Sequence, residues 1–185
     1  VYAPESGSTE TLTAIKKKIK IENLTKSVLE AKRQNIVVRT NLIIGFPHET
    51  WEQILTTLMY GIKMALKGID EVPIFIFSPY PGTEIFKNLS DARKLRLNDE
   101  YFFQLTSLNS DYLSWKVVCS NPRINWRILG LVRTIFILTN YLISYLFYPS
   151  RILRTIKNLF SGHQSATVFE HRIKDTFWRK KTAPN

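Results

Sequence analysis

The sequence predicts an α/β fold: a partial TIM-like barrel over residues 1–90, a helical and irregular extension over 91–125, and a hydrophobic, basic helical tail over 126–185. Three observations predict it. Short β-branched runs alternate with helical patterns in the first half, with connections long enough for parallel crossovers. Those runs are continuously apolar, as in parallel strands covered on both faces. The charge then changes abruptly: residues 1–115 carry 14 Lys/Arg against 13 Asp/Glu, whereas 116–185 carry 12 Lys/Arg against Glu170 and Asp175 alone.

The elements follow in order. Val1–Pro4 reads as the end of a strand. Leu12, Ile15 and Ile19 at helical spacing predict a helix over Thr9–Lys20, and Leu24, Val28 and Ala31 predict one over Asn23–Gln34. Val37–Ile44 is eight residues rich in branched side chains, a buried strand that ends at the turn Gly45-Phe46-Pro47. Thr50 and Gln53 form a capping box for a helix whose apolar stripe is Trp51, Ile54, Leu55, Leu58 and Ile62. Glu71–Phe77 is the next strand, closed by Ser78-Pro79-Tyr80-Pro81-Gly82. Three strands cannot close a barrel, so the pattern, with a chain opening at Val1, predicts the C-terminal piece of a longer protein.

The tail reads differently. Ile128–Tyr148 is charged only at Arg133, and as a helix it spans roughly 30 Å, about a bilayer core. Ser150–Phe160 sets Ile152, Leu153, Ile156, Leu159 and Phe160 against Arg151, Arg154 and Lys157, a basic amphipathic pattern suited to an anionic surface. Trp126, Tyr145 and Tyr148 stand at the ends of the apolar span, as interfacial anchors do. These features predict contact with a membrane surface, with coverage of the barrel's open side as the alternative, and Arg179-Lys180-Lys181 frays at the end.

Composition excludes several classes. A 44% hydrophobic content is that of a globular protein, not a disordered one. The single cysteine, Cys119, excludes an internal disulfide and a thiolate metal cage within this chain, and fits a reducing compartment. The first residues contain no secretory signal. The expected location is cytoplasmic, peripheral on the inner membrane face.

The polar and Gly/Pro-rich signals all follow strands: Glu5-Ser6-Gly7-Ser8, Gly45 to Glu49, and Ser78 to Thr83. In parallel α/β folds those loops build the active site. On their own terms the residues divide. Glu5 suits either a ligand hydroxyl or ammonium, or the start of a helix. Lys17 lies in the run Lys16-Lys17-Lys18, normally a solvated face. Asn41 within an apolar strand needs hydrogen-bonding partners. His48 fits a surface or capping role, Glu49 a role in holding the turn backbone, and Cys119 a bystander role.

The segments Tyr2-Ala-Pro-Glu-Ser-Gly-Ser8, Asn41-Leu-Ile-Ile-Gly-Phe-Pro-His-Glu-Thr50 and Ser78-Pro-Tyr-Pro-Gly-Thr83, in that order, resemble radical S-adenosylmethionine (SAM) enzymes over about residues 1–90. Within that superfamily they look like the cobalamin-binding branch that includes the anaerobic magnesium-protoporphyrin IX monomethyl ester oxidative cyclase. The resemblance implies the C-terminal half of a radical SAM barrel. It implies that Glu5 and Ser6 bind SAM at its ribose or aminoacyl end, that Lys17 reaches its carboxylate, and that Asn41 contacts the ribose. Ile43, Gly45 and Glu49 would then pack the adenine and shape the following turn, and Pro79, Tyr80, Pro81 and Gly82 would bound the substrate or adenine pocket.

The Cys-x3-Cys-x2-Cys segment that binds the [4Fe–4S] cluster in that superfamily is absent from the sequence, as is a preceding cobalamin domain. The chain by itself is therefore expected to be inactive. The expected parent cleaves SAM reductively to a 5′-deoxyadenosyl radical, with cobalamin-linked chemistry on a tetrapyrrole or other apolar substrate and an electron donor such as flavodoxin or ferredoxin. A radical SAM methylthiotransferase acting on RNA is the alternative, set second because the tail's charge is interleaved with aliphatic runs, so nucleic acid is not the favoured partner. A non-catalytic, membrane-attached scaffold is the third reading.

Overall fold

The computed structural model describes residues 1–91, 97–99, 101–103, 105, 120–160, 167, 170, 171, 173 and 174. Cys119 and Arg179-Lys180-Lys181 lie outside the described residues. The fold is mixed α/β. Strands β1 (Tyr2–Glu5), β2 (Thr40–Ile44) and β3 (Ile74–Ile76) form a parallel sheet in chain order. Helices α1 (Thr9–Ala14), α2 (Ile21–Arg33), α3 (Trp51–Leu66), α4 (Glu84–Asp91), α5 (Trp126–Phe147) and α6 (Ser150–Phe160) complete it.

The alternation along β2 decides the layering. Thr40, Leu42 and Ile44 are buried while Asn41 and Ile43 are half-buried. β3 repeats this with Ile74 and Ile76 buried and Phe75 half-buried, and the register pairs Leu42 with Ile74, Ile43 with Phe75 and Ile44 with Ile76. One sheet face therefore carries the core, packed against Val28 of α2, Ile54, Leu58 and Met64 of α3, and Leu129, Phe136 and Ile137 of α5. The other face carries Asn41, Ile43 and Phe75 and is only partly covered. α5 belongs to the same core as residues 1–90, closely enough that a Cβ on Gly61 of α3 would stand 2.5 Å from Phe136 Cζ.

Local chemistry sets the helix ends. Ser8 caps α1 by accepting from Thr11 N–H at 3.3 Å. Thr50 and Gln53 close the expected capping box at 3.0 and 3.4 Å. Three helices stop on a left-handed residue: Lys16 (φ 58°), Asn35 (φ 58°) and Gly68 (φ 87°). In each, the following N–H reaches back five residues, Lys17 to the Leu12 carbonyl, Ile36 to Ala31 and Ile69 to Met64, at 2.9 to 3.2 Å.

The first of these stops corrects the helix expected over Thr9–Lys20, which ends at Ala14. Of its stripe only Leu12 is buried, while Ile15 and Ile19 are half-buried and too little apolar area supports another turn. The expected strand over Val37–Ile44 begins only at Thr40, because Ile36 and Val37 are 54% and 50% exposed and bury too little apolar surface to hold the chain on the sheet. The strand expected over Glu71–Phe77 shortens to Ile74–Ile76, and Glu71 makes only a single bridge with Arg39. On α3 the buried stripe runs through Ile54, Thr57, Leu58, Gly61, Met64 and Ala65, and Leu55 faces outward.

At the amino end of the strands Asp70 gathers three elements. Its carboxylate accepts from Lys32 Nζ of α2 at 2.8 Å, Val38 N–H at 3.0 Å and Arg154 of α6 at 3.0 Å, with Arg151 at 3.7 Å. Burial pushes the carboxyl up, but Lys32, the Val38 amide and Arg154 outweigh it and hold the group below the ordinary carboxylate range. Arg151 is also buried, donating to Gly68 O at 2.6 Å, Ser144 Oγ at 2.5 Å and Ile69 O at 3.3 Å. The reading of Arg151 and Arg154 as charges turned toward an anionic leaflet is corrected: both serve this internal cluster. Tyr148, read as an interfacial anchor, donates to Leu66 O at 2.8 Å and lies under the Arg151 guanidinium.

Candidate functional site at the carboxyl edge of the sheet

All three chemically loaded loops leave the same edge, because the strands are parallel. β1 ends with an irregularity. Tyr2 pairs with Thr40 but Glu5 pairs with Leu42, so β1 carries one extra residue. Glu5 itself is left-handed (φ 70°), which costs an L-residue roughly 1–3 kcal/mol. Instead of being buried beside Leu42, its carboxylate is 22% exposed and accepts from Lys17 Nζ at 3.1 Å. The early stop of α1 delivers that lysine. The structure thus joins Glu5 and Lys17, twelve positions apart, which the resemblance had placed at the same cofactor.

Asn41 lies on the neighbouring strand, on the partly open face with Ile43. Its Oδ1 accepts from Arg39 Nε at 3.0 Å, and Arg39 also stands 3.7 Å from Glu71. Arg39 was missed by the sequence reading. A period of two along β2 places it on the face of Asn41, and that is the signal that could have found it.

Ser6 is fully buried, shares a 2.7 Å hydrogen bond with Thr57 Oγ1 and accepts from Ser8 N–H at 3.1 Å. Its hydroxyl packs the β1–α1 turn onto α3.

The second loop is a clamp. Glu49 is completely buried. Its carboxylate accepts from Gly45 N–H at 2.6 Å, Phe46 N–H at 2.9 Å and the Thr11 hydroxyl at 3.3 Å. Burial lifts its carboxyl to about 7 against the pull of those donors. From the other side Asn121 Nδ2 donates to Phe46 O at 2.7 Å and Glu49 O at 2.8 Å. Gly45 adopts φ 85°, and a Cβ there would stand 2.7 Å from Leu129 Cδ2 of α5. Glu49 and Gly45 therefore shape the loop, as the turn-holding reading of Glu49 expected. The Phe46 ring contacts Phe77 (centroids 4.6 Å apart) and stacks with the exposed His48 at 5.9 Å. The third loop follows β3. Pro79 is buried and its carbonyl accepts the Tyr101 hydroxyl.

The open face and its edge therefore present a carboxylate paired with an ammonium, an amide two residues from a guanidinium, and the apolar side chains Ile43, Phe75 and Phe77. Such a set can hold a zwitterionic, hydroxyl-bearing ligand with a flat apolar part. Among the described residues no three His, Cys, Asp or Glu side chains group in a way that could hold a metal ion. A small cleft between α3, β3 and α5, lined by Asn140, Tyr141, Ser144 and Glu71, lies at the opposite edge.

No family model matches the chain. Over 119 residues it is 29% identical to tRNA-2-methylthio-N(6)-dimethylallyladenosine synthase of Deinococcus radiodurans, covering 63% of this chain and 23% of that protein. Over 110 residues it is 32% identical to the synthase of the same name from Bacillus mycoides, covering 58% and 21%. The Bacillus anthracis synthase is 33% identical over 106 residues, covering 56% and 20%. The chain spans between a fifth and a quarter of the length of these curated relatives. The similarity supports the radical SAM superfamily, at low identity and over partial coverage. It gives no support to the cobalamin-binding cyclase branch, nor to cobalamin as a cofactor. The relatives' names carry a tRNA base, which also counts against setting nucleic acid aside as a partner.

Proposed function

We propose that the chain is the C-terminal half of the SAM-binding barrel of a radical SAM enzyme. The sequential β1-β2-β3 order, with α2, α3 and α5 packed on one face, supports a barrel wall over a doubly wound sheet. The observation that carries the reading is the Glu5–Lys17 pair at a left-handed strand end, beside the half-buried Asn41. Glu5 would take the ammonium or hydroxyl groups of SAM, Lys17 its carboxylate and Asn41 its ribose, while Ile43, Phe75 and Phe77 wall the apolar part. SAM, once bound, is the source of the carbon radical in this superfamily. The chain's own residues position it, and the thiolates for a [4Fe–4S] cluster would come from outside this sequence.

For the substrate, methylthiolation of a tRNA adenosine is the first reading, supported by the named relatives and by the excess of basic residues after residue 115. The tetrapyrrole reading has no comparable support. SAM binding to the full-length protein, measured by calorimetry with iron content as the control, tests the site. Glu5→Ala and Asn41→Ala are expected to weaken binding about 10- to 150-fold with iron unchanged. Unchanged affinity in both folded variants would reduce these residues to structural ones. Reaction with tRNA lacking the modification, followed by nucleoside mass spectrometry, tests the substrate, and an unmodified product under SAM turnover would overturn that choice.

A further inference from the structure

Helix α6 is built inside out, and α5 is apolar on its outer side as well as on its inner one. The buried face of α5 holds Gly130, Arg133, Asn140 and Ser144 among its apolar residues. Its outer face is Ile128, Leu131, Ile135, Leu138, Leu142 and Leu146, which are 42% to 67% exposed. On α6 the buried residues are Arg151 and Thr155, while Ile152, Leu153 and Ile156 point outward at 43% to 72%. Several of the polar groups turned inward are hydrogen-bonded: Arg151 with Ser144, Thr155 with Glu170, and Asn140 Nδ2 with Phe136 O. Isolated exposed leucines are ordinary, but two successive helices that each present a row of exposed apolar residues are not. Polar side chains facing protein and apolar ones facing out is the arrangement of helices surrounded by hydrocarbon.

We propose that the outer face of α5 and α6 seats in the interfacial region of an anionic lipid leaflet, whichever substrate the enzyme modifies. The charge around the face selects that occupant. From Trp126 to Phe160 there is no Asp or Glu, and Arg123, Arg127 and Lys157 are exposed at its margins. A partner protein commonly meets a rim of mixed sign, whereas a rim of one positive sign complements lipid phosphates. α5 lies along the surface and does not cross it, because Leu129, Phe136 and Ile137 fix its other side to α3 and the sheet.

Flotation of the full-length protein with phosphatidylcholine vesicles, with and without phosphatidylglycerol, tests this. The protein is expected to float with the anionic vesicles and to be released by high salt. The double variant Leu138→Glu, Leu142→Glu is expected to lower the bound fraction more than about tenfold with an unchanged circular dichroism spectrum. Should that variant misfold, Arg127→Glu with Lys157→Glu is expected to abolish the preference for anionic vesicles instead. Absence of flotation, or flotation unaffected by both variants, overturns the proposal. So does a dimer in light scattering that Leu138→Glu, Leu142→Glu dissolves without any lipid binding, which would make a second copy the occupant.

Discussion

Helices α2 and α5 obey opposite rules. α2 turns Glu22, Lys26, Glu30 and Arg33 to water and buries Val28. α5 buries Arg133, Asn140 and Ser144 and turns leucine and isoleucine outward. The difference separates two ways of being amphipathic. In α2 apolar burial drives docking, and charge stays in the solvent that suits it. α5 docks through Leu129, Phe136 and Ile137 yet is apolar on its outer side as well, and α6 turns Arg151 and Thr155 inward while Ile152, Leu153 and Ile156 face out. Two clamps join the regions: Asp70, bound by Lys32 on one side and Arg154 on the other, and the Glu49 loop, held by Thr11 on one side and Asn121 on the other.

Breaking the first clamp has the largest expected effect. Asp70→Ala leaves Lys32, Arg151 and Arg154 without their common counter-charge and is expected to cost about 3–5 kcal/mol in urea unfolding. A loss no greater than that of a surface ion pair would mean that the two regions are not joined there.

The second clamp titrates. Glu49 ionises near 7 in the fold, above its ordinary 4.5, so the protonated form favours the folded state. The stability it contributes is fully present below about pH 4.5 and is lost as pH rises through 7, by about 3 kcal/mol in all. Glu49→Gln is expected to remove that slope from a series of unfolding curves across the same range. A slope unchanged in the variant would assign the titration elsewhere.

Gly45→Ala comes next. The left-handed backbone and the close approach of Leu129 together are expected to cost about 2–3 kcal/mol of thermal stability. The smallest effect sharpens the contrast between faces. Leu142→Gln, on the outer side, is expected to leave stability in water within about 0.5 kcal/mol, whereas Leu129→Ala, on the inner side, loses about 2–5 kcal/mol. Equal losses from the two would mean that α5 has no free face.

The order of the strands, the capping box and the bounds of α6 were legible from local patterns, whereas the lengths of β2 and β3, set by pairing and burial, were not. Nor was the orientation of α6. Its pattern of three basic residues against five apolar ones says that the two faces differ, not which is turned inward, and Asp70, eighty-four positions before Arg154, decides it. The partner of Ser6 was hidden for the same reason: a serine after a strand says nothing of Thr57, fifty-one positions on, and only the packing of α3 brings the two together. The Glu5–Lys17 pairing was legible only through the family resemblance, since the spacing alone suggested a helix running past Lys17. The left-handed turn at Lys16 has no glycine or asparagine to announce it.

The contact between Gly45 and Leu129 makes two distant surfaces answer to one another. The loop that closes β2 and the helix that carries the apolar outer face share an interface too tight for a methyl group. Displacing α5 therefore takes the Leu129 side chain away from the loop backbone at the mouth of the sheet. Linkage then runs both ways: a ligand that fixes the loop at Gly45 and Phe46 strengthens whatever holds the far side of α5, by the same factor with which that attachment strengthens the ligand.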